Sequence, residues 1–496
     1  MHRLSSILAV VLFLLLSAAA CGPGEPVPAA GPAGLEPPFD SPARIGPDEV
    51  DARPELVVLI LIDALRSDHV GAYGDHRRLT PELDRLAQRA CLFERAVAPS
   101  SWTRPSVASM FTSCYPGSIG VQNKEDMLAE DLLTVAEMLK VYGGFRCVGI
   151  STNANTSRSI GFAQGFDSYH RLREKRGYPG DFELVPAEAV TRFALRKLPQ
   201  WLAPGAPLFL FLHYVDPHDP YMANPGWLSG PEPAGRFNGS RADLLRLSKQ
   251  SPGKLRKEDY DRIRYLYAGE VNYCDFWVGQ LLRGIERIGA GSSAETMVIV
   301  TADHGEGLWN HGQRGHGFIM HEEQVRVPLL IRSPGMGPGD GRRIGQPVSL
   351  IDIGPTILAA CGIPCPAQFQ GEDLALLMRG VTRHPSRGVV YSELNLADNN
   401  YESVLVGQRK LIRDRSVEPN SPEAFKLFDL LADPTERDDL IATGAGDRGI
   451  DELKAILRKW GAAVGNKGKS APQLNLDDLD SETRENLEAL GYLTAE

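Results

Sequence analysis

The chain has 496 residues, 43% of them hydrophobic and 23% charged, with a formal net charge of −10. That length calls for one large domain plus a smaller one, and the apolar and aromatic shares are those of an ordinary soluble globular enzyme. The acidic balance argues against a surface built to neutralise nucleic-acid phosphates, so no nucleic-acid partner is expected.

His2 and Arg3 precede an apolar run from Ile7 to Leu16, and Ser17-Ala18-Ala19-Ala20 leads into Cys21. The run is too short for a transmembrane span but has the charged start, apolar middle and small-residue end of an export signal. Residues 1–21 read as a signal peptide of the bacterial lipoprotein kind, with Cys21 lipidated as the mature N-terminus. Ala18 departs from that pattern, since leucine is usual there, and simple cleavage to a soluble secreted protein is the alternative. The expected location is periplasmic or cell-surface, with membrane contact through a lipid anchor at Cys21. Residues 22–54, rich in Gly, Pro and Ala, read as a flexible tether.

Leu56 to Ile62 is a continuous apolar, β-branched run, the pattern of a strand covered on both faces. Thr80-Pro81-Glu82 opens a helix, with a capping residue and proline at the first helical position. Further strand-like runs are Cys147–Ser151, Leu208–Tyr214, Met297–Thr301 and Val327–Arg332, and a long amphipathic helix is expected from Glu258 to Ile288. Strand alternating with helix predicts an α/β fold, with a mainly parallel sheet sandwiched by helices, over residues 55–370. Residues 222–257, rich in Gly, Ser and Pro with Arg and Lys interleaved, read as a surface insertion. From 371 to 496 the segments shorten. Val389–Glu393, Ser403–Val406, Lys410–Arg413 and Lys426–Leu430 predict a small antiparallel sheet, with a helix near 450–463. Cys91, Cys147 and Cys274 sit in apolar patterns as buried thiols, while Cys361 and Cys365 are candidates to pair in an oxidising compartment.

In parallel sheets ligands gather at the carboxyl ends of strands, where Asp63, Asp216 and Asp303 fall. Asp63, Thr103, Asp303 and His304 offer ligands for one divalent metal, with the Thr103 hydroxyl the alcohol nucleophile resting on it. An imidazole among the ligands favours zinc or manganese, with calcium the alternative. Four of the 11 histidines, His304, His311, His316 and His321, lie in one segment, too dense for packing alone. His304 and His316 read as functional; His311 and His321 read as supporting or surface residues. Thr103 precedes a helix expected to start near Pro105, a place that favours a bound phosphate or sulfate. His218, between Pro217 and Pro220, is presented rigidly to a substrate oxygen. It could also join Asp216 and His316 around a second metal, the less favoured reading. The loop after Gly120, with Lys124, is expected to shape the substrate pocket.

These stretches resemble the sulfatase branch of the alkaline phosphatase superfamily along nearly the whole mature length. The resemblance is carried by LVVLILIDALRSDHVGAYG from Leu56, the run around SWTRPSVASMFTS from Ser101, FLHYVDPHDPY from Phe211, VTADHGEGLWNHGQRGHG from Val300, KLFDLLADPTE from Lys426 and the final LEALGYL. It implies an alkaline phosphatase/sulfatase-like fold with a small C-terminal antiparallel subdomain. It also implies a single metal on Asp63, Asp303 and His304, residue 103 as nucleophile, and His218 and His316 at the transferred group or leaving oxygen.

The departures are specific. Sulfatases proper carry Cys or Ser, any residue, then Pro-Ser-Arg, and the first residue becomes formylglycine; here the run is Thr103-Arg104-Pro105-Ser106-Val107. Oxidised threonine would be a ketone, not an aldehyde. A second aspartate usual after the first is Ala64, and His304 stands where calcium-binding sulfatases commonly have asparagine. The site is similar to that of threonine-dependent phosphotransferases of the superfamily. The expectation is an exported, metal-dependent hydrolase or transferase of phosphate or sulfate esters, possessing a Thr103 nucleophile, with phosphoesters favoured. The alternatives are a sulfuric ester hydrolase working without formylglycine, and an inactive anion- or glycan-binding lipoprotein.

Overall fold

A strand apolar at every position must be covered on both sides, and Leu56–Ile62 is buried throughout. In the computed structural model it lies inside an eight-stranded sheet. The structure describes residues 53–172, 185–202, 205–221, 226–227, 230–248, 255–288, 295–380, 388–418, 421–444, 449–465, 471–474, 479, 483–484 and 487. The expected signal peptide, Cys21, the tether up to residue 52 and parts of the 222–257 insertion lie outside the described residues.

In chain order the main-sheet strands are β1 Leu56–Ile62, β2 Cys91–Phe93, β3 Arg146–Ser151, β4 Ser168–Arg171, β5 Leu208–Tyr214, β6 Thr296–Thr301, β7 Leu329–Arg332 and β8 Arg342–Ile344. Across the sheet they run β8-β2-β7-β6-β1-β5-β3-β4. Only β7 is antiparallel to its neighbours, so the sheet is mixed and mainly parallel. The expected run from Val327 to Arg332 is divided at Pro328. Proline has no N–H to donate to a ladder, and Arg326–Val327 pairs instead with Ala96–Val97 in a small separate sheet.

Register positions the site. Leu56 pairs with Leu208 on one side and Thr296 on the other, so Ile62 lies opposite Tyr214 and Leu61 opposite Thr301. Three parallel strands therefore end together, and Asp63, His213 and Asp303 emerge at one edge. Helices cover the sheet in two groups. Pro81–Ala87 and Ala187–Trp201 pack on the long Lys257–Ile288 helix, while Thr103–Thr112, Val135–Gly143 and Ile353–Ala360 pack together. The second group meets Leu59 and Phe209, with the Phe111 ring 5.0 Å edge-on from Phe211.

The C-terminal segment forms a four-stranded antiparallel sheet from Val389–Leu396, Asn399–Val406, Arg409–Asp414 and Phe425–Asp429, with the Ile450–Gly465 helix against it. It has a second core of Val404, Leu411, Leu427, Leu453, Leu457 and Trp460, which Tyr115 and Ile351 join from the main body. Cys361 and Cys365 are both free thiols, as are Cys91, Cys114, Cys147 and Cys274.

Glu393 stitches this sheet to the Pro116–Ile119 turn and the loop that follow the Thr103 helix. Its carboxylate accepts from the Gly117 N–H at 2.6 Å and from Gln122 Nε2 at 3.1 Å. Burial pushes its pKa up to about 7, against the opposing pull of Gly117 N–H and Arg415. The folded state thus holds a proton that the unfolded chain releases near 4.5, and stability is lost as pH rises from 4.5 to 7. Glu393→Gln removes that loss. The variant is expected to match wild type near pH 4.5 and to exceed it at pH 8 by at most about 3 kcal/mol. Denaturant midpoints at the two pH values check this; a variant less stable than wild type at pH 8 rejects it.

Candidate active site

Asp63 is buried at the end of β1, its N–H held by the Tyr214 carbonyl at 2.9 Å. One carboxylate oxygen, Oδ2, accepts from Asn153 Nδ2 at 2.6 Å and lies 3.2 Å from His213 Nε2. The other, Oδ1, has no hydrogen-bond partner. Asp303 repeats the division. Its Oδ1 accepts the Ala64 and His304 N–H groups at 3.1 and 3.0 Å, and Oδ2 has no partner. Ala64 sits in the left-handed region at φ 58°, a strained place for a residue with a Cβ, pinned there by the Asp303 bond and by Tyr267 Oη on its carbonyl at 2.7 Å.

His304 completes the group. Its Nδ1 donates to the Gly305 carbonyl at 2.7 Å, which leaves the Nε2 lone pair facing the site. Nε2 lies 3.7 Å from Asp63 Oδ1, 3.4 Å from Asp303 Oδ2 and 3.1 Å from Thr103 Oγ1. Burial holds the ring below its ordinary pKa despite Asp303 and Asp63 nearby. Two unpartnered carboxylate oxygens and one imidazole lone pair, all buried and within 4.8 Å of one another, suit a divalent cation. Among the described residues no other group of three such side chains converges in this way.

Gly305 keeps the Asp303-His304 turn against its neighbour. A Cβ there would stand 2.1 Å from the Glu323 carbonyl oxygen, a backbone atom that cannot swing away. Gly305→Ala is expected to lower stability by roughly 1–3 kcal/mol and to weaken cation binding together with it. Thermal unfolding with and without added zinc checks this. A variant with wild-type midpoints in both conditions would refute it.

Thr103 is the first residue of the Thr103–Thr112 helix, two residues earlier than Pro105 led us to expect, and it is fully buried. Ser106 Oγ donates to the Asp303 carbonyl at 2.6 Å, tying the helix start to the β6 end. The first-turn N–H groups and the positive helix end therefore face the converging ligands.

Beyond His304 the rings of His316 and His218 follow in a row, with centroids 4.2 Å and then 4.7 Å apart. His218 Nδ1 donates to the Asp219 carbonyl at 2.6 Å, and Nε2 has no hydrogen-bond partner. Burial pushes this ring down, but Asp63, Asp219 and Glu306 outweigh it and hold His218 above its ordinary pKa. His316 goes the other way, to about 4, through burial and the neighbouring His218. Its Nδ1 lies 3.5 Å from the buried Glu306, whose own pKa burial and Asp219 push up to about 7. Lys124 is half-buried in the loop after Gly120, its carbonyl held by Arg104.

Asp216, His311 and His321 lie outside this group. Asp216 Oδ2 accepts the Ala187 N–H at 2.8 Å at a helix start, and among the described residues Asp216, His218 and His316 do not converge as a second metal group. His311 and His321 stack on each other at 3.9 Å and belong to a separate cluster, where Glu323 and the Glu436 carbonyl take the two His311 nitrogens. Asn153 and His213, which orient Asp63, escaped the sequence reading. Both stand where strand runs end, which was the available signal.

Residues 55–363 match the Sulfatase family, and residues 311–462 match the C-terminal region of N-sulphoglucosamine sulphohydrolase. An ulvan-active sulfatase of Formosa agariphila is 25% identical over 437 residues, covering 84% of this chain and 82% of that protein. The solved structure of a 2-O GAG sulfatase superposes with a TM-score of 0.68 at 20% identity, over 87% of this chain and 96% of the other. The phosphonate monoester hydrolase of Agrobacterium radiobacter gives 0.65 at 21% identity, over 84% and 96%. With the family match running over more than half its length and the fold agreeing, the chain belongs to the sulfatase family of the alkaline phosphatase superfamily and is one of its ester hydrolases.

Proposed function

We propose that this sulfatase-family hydrolase uses Thr103, unmodified, as its nucleophile on anionic esters, with phosphorus esters preferred to sulfate esters. The observation that carries the reading is the Thr103 hydroxyl, 3.1 Å from His304 Nε2 and buried with Asp63 and Asp303. A divalent cation held by Asp63, Asp303 and His304, zinc or manganese by the donor set with calcium the alternative, would lower the hydroxyl pKa and neutralise charge on the transferred group.

Thr103 Oγ1 gives up its proton to solvent water and attacks phosphorus or sulfur in line, forming a new ester bond as the bond to the leaving oxygen breaks. That oxygen needs a proton. His316, next in the row of rings beyond His304, is placed to supply that proton, and His218, whose Nε2 has no hydrogen-bond partner, helps to hold the anion. Lys124 adds a positive charge for the ester's non-bridging oxygens. Water, or an acceptor alcohol, then attacks the same centre and gives its proton to the imidazole that protonated the leaving oxygen, the bond to Oγ1 breaks, and Oγ1 takes a proton back from solvent.

Phosphorus is preferred because a threonine phosphoester can be reopened by attack at phosphorus, whereas release of sulfate in sulfatases relies on an aldehyde hydrate that threonine cannot form. The phosphonate monoester hydrolase among the structural neighbours supports this fold as a scaffold for phosphorus chemistry. The sequence relatives, named as sulfatases, favour the second reading, sulfate ester hydrolysis by the same threonine. The charged, apolar and small-residue order before Cys21 supports work outside the cytoplasm on a lipid anchor.

The test is turnover of an aryl phosphate monoester, an aryl phosphodiester and an aryl sulfate by the purified protein. Phosphoester turnover exceeding sulfate turnover is the expected result. Sulfate turnover ahead of both would reverse the preference, and formylglycine-like mass change at residue 103 would end the unmodified-threonine reading.

A further inference from the structure

We propose that Arg314 is a positioning residue: by pairing with Asp219 it ties the turn that carries His218 to the hairpin that carries His316, and so aims His218 at the anion. This rests on the anion-holding role proposed for His218. Arg314 lies in a short hairpin in which Gly307–Leu308 pairs with Arg314–Gly315, two residues before His316. Its Nη1 donates to Asp219 Oδ2, and its Nε has no hydrogen-bond partner. Both side chains are only 15% exposed, so the ion pair is far less screened than one on the surface.

The two ends of this tie differ in how firmly they are held. On the hairpin side, the Gly317 N–H donates to the Ser101 carbonyl at 2.8 Å, and Gln324 Nε2 donates to the Gly315 carbonyl at 3.0 Å. Asn399 Nδ2 donates to the Gly317 carbonyl at 3.3 Å. The backbone on both sides of His316 is therefore fixed, to the segment leading into Thr103 and to the C-terminal sheet. On the other side, the His218 N–H donates to the Val215 carbonyl at 2.8 Å, a turn within its own segment. The Asp219 ion pair is what reaches from that turn to the hairpin.

Asp219 passes the restraint on to the imidazole. Its carbonyl accepts from His218 Nδ1 at 2.6 Å, and its Oδ1 lies 3.5 Å from the same nitrogen. With Nδ1 so committed, Nε2 is the nitrogen left for the anion, and it is buried without a partner. The edge-on contact of the His218 and His316 rings, 4.7 Å between centroids, marks the spacing that the tie maintains. Arg314 needs no contact with the ester; it acts on the anion through Asp219 and His218.

The experiment compares His218→Ala, Arg314→Met, Asp219→Ala and the Asp219→Ala/Arg314→Met double variant in the full-length protein. It measures calorimetric binding of inorganic phosphate and sulfate, with kcat and KM on the best ester. Arg314→Met is expected to weaken both anions and raise KM about tenfold, with kcat within about threefold because His316 keeps its own anchors. Asp219→Ala is expected to do at least as much. The double variant is expected to be no worse than Asp219→Ala alone, since without the carboxylate Arg314 has nothing to hold. Overall charge cannot imitate this pattern, because loss of a carboxylate would by itself tighten anion binding. Unchanged anion binding in Arg314→Met overturns the proposal. So does a double variant weaker than Asp219→Ala, which would put Arg314 on the anion directly. If Arg314→Met does not fold, Asp219→Ala carries the test: weaker anion binding supports the tie, and unchanged or tighter binding overturns it. His218→Ala tests the reading underneath. If it leaves anion binding unchanged, that reading fails and the proposal with it; if it weakens binding while Arg314→Met does not, the tie alone fails.

Discussion

Thr103→Ala is expected to lower ester turnover by roughly 10³-fold or more on every substrate the wild type accepts, while the protein stays folded. The hydroxyl is the one nucleophile beside His304 Nε2, and its removal leaves the reacting phosphorus or sulfur with nothing to attack it in line. Little in the fold depends on that oxygen. The helix is capped by Trp102 without a side-chain cap bond, and the hydroxyl's hydrogen bond is to His304. The substitution also deletes a buried methyl, which costs about 1 kcal/mol. Thr103→Ser separates the two effects, since it deletes the methyl and keeps the oxygen; it should retain turnover within about tenfold. Intact mass after a brief pulse of substrate should show wild type heavier by one phosphoryl or sulfuryl group and Thr103→Ala unchanged. Turnover surviving in Thr103→Ala would remove the threonine from the mechanism.

The parts of this site legible in the sequence are those whose chemistry coincides with a strand end. Leu56–Ile62 and Leu208–Tyr214 appear in the structure with the bounds their apolar runs gave. Asp63, Asp303 and His304 follow such runs, and the structure brings them together because three parallel strands stop in register. What stayed hidden depends on partners that only pairing supplies. Asn153 and His213 orient Asp63 because β3, β5 and β1 are neighbours, which no local pattern states. Asp216 shows the converse. It has the same strand-end placement as Asp63, yet the free N–H of Ala187 at a helix start captures it. The histidines between 304 and 321 divide as their sequence reading had it. His316 stacks on His304, while His311 and His321 turn towards Glu323 and the C-terminal sheet.

Removal of the divalent cation is expected to abolish turnover and to lower the unfolding temperature, with zinc or manganese restoring both better than calcium. Asp63 Oδ1 and Asp303 Oδ2 are buried and have no hydrogen-bond donor, and a carboxylate oxygen in that state costs several kcal/mol. Their remaining oxygens are fully used by Asn153, Ala64 and His304, so neither side chain can turn to relieve the other without breaking those bonds. A bound cation satisfies both oxygens and the His304 lone pair at once. Because the unfolded chain has no such site, binding feeds directly into stability, by about 2.7 kcal/mol at a free cation concentration a hundred times Kd. Calorimetric scans before and after chelation, with elemental analysis showing one equivalent of metal, make the measurement. Asp303→Asn is the informative variant. It keeps an oxygen for the Ala64 and His304 N–H groups but offers a neutral amide in place of the unpartnered oxygen. Cation affinity should fall by more than about tenfold, while the chelated variant unfolds at or above the temperature of the chelated wild type, because one unpaired charge has gone. A chelated wild type with undiminished turnover would show that the converging oxygens serve something other than a metal.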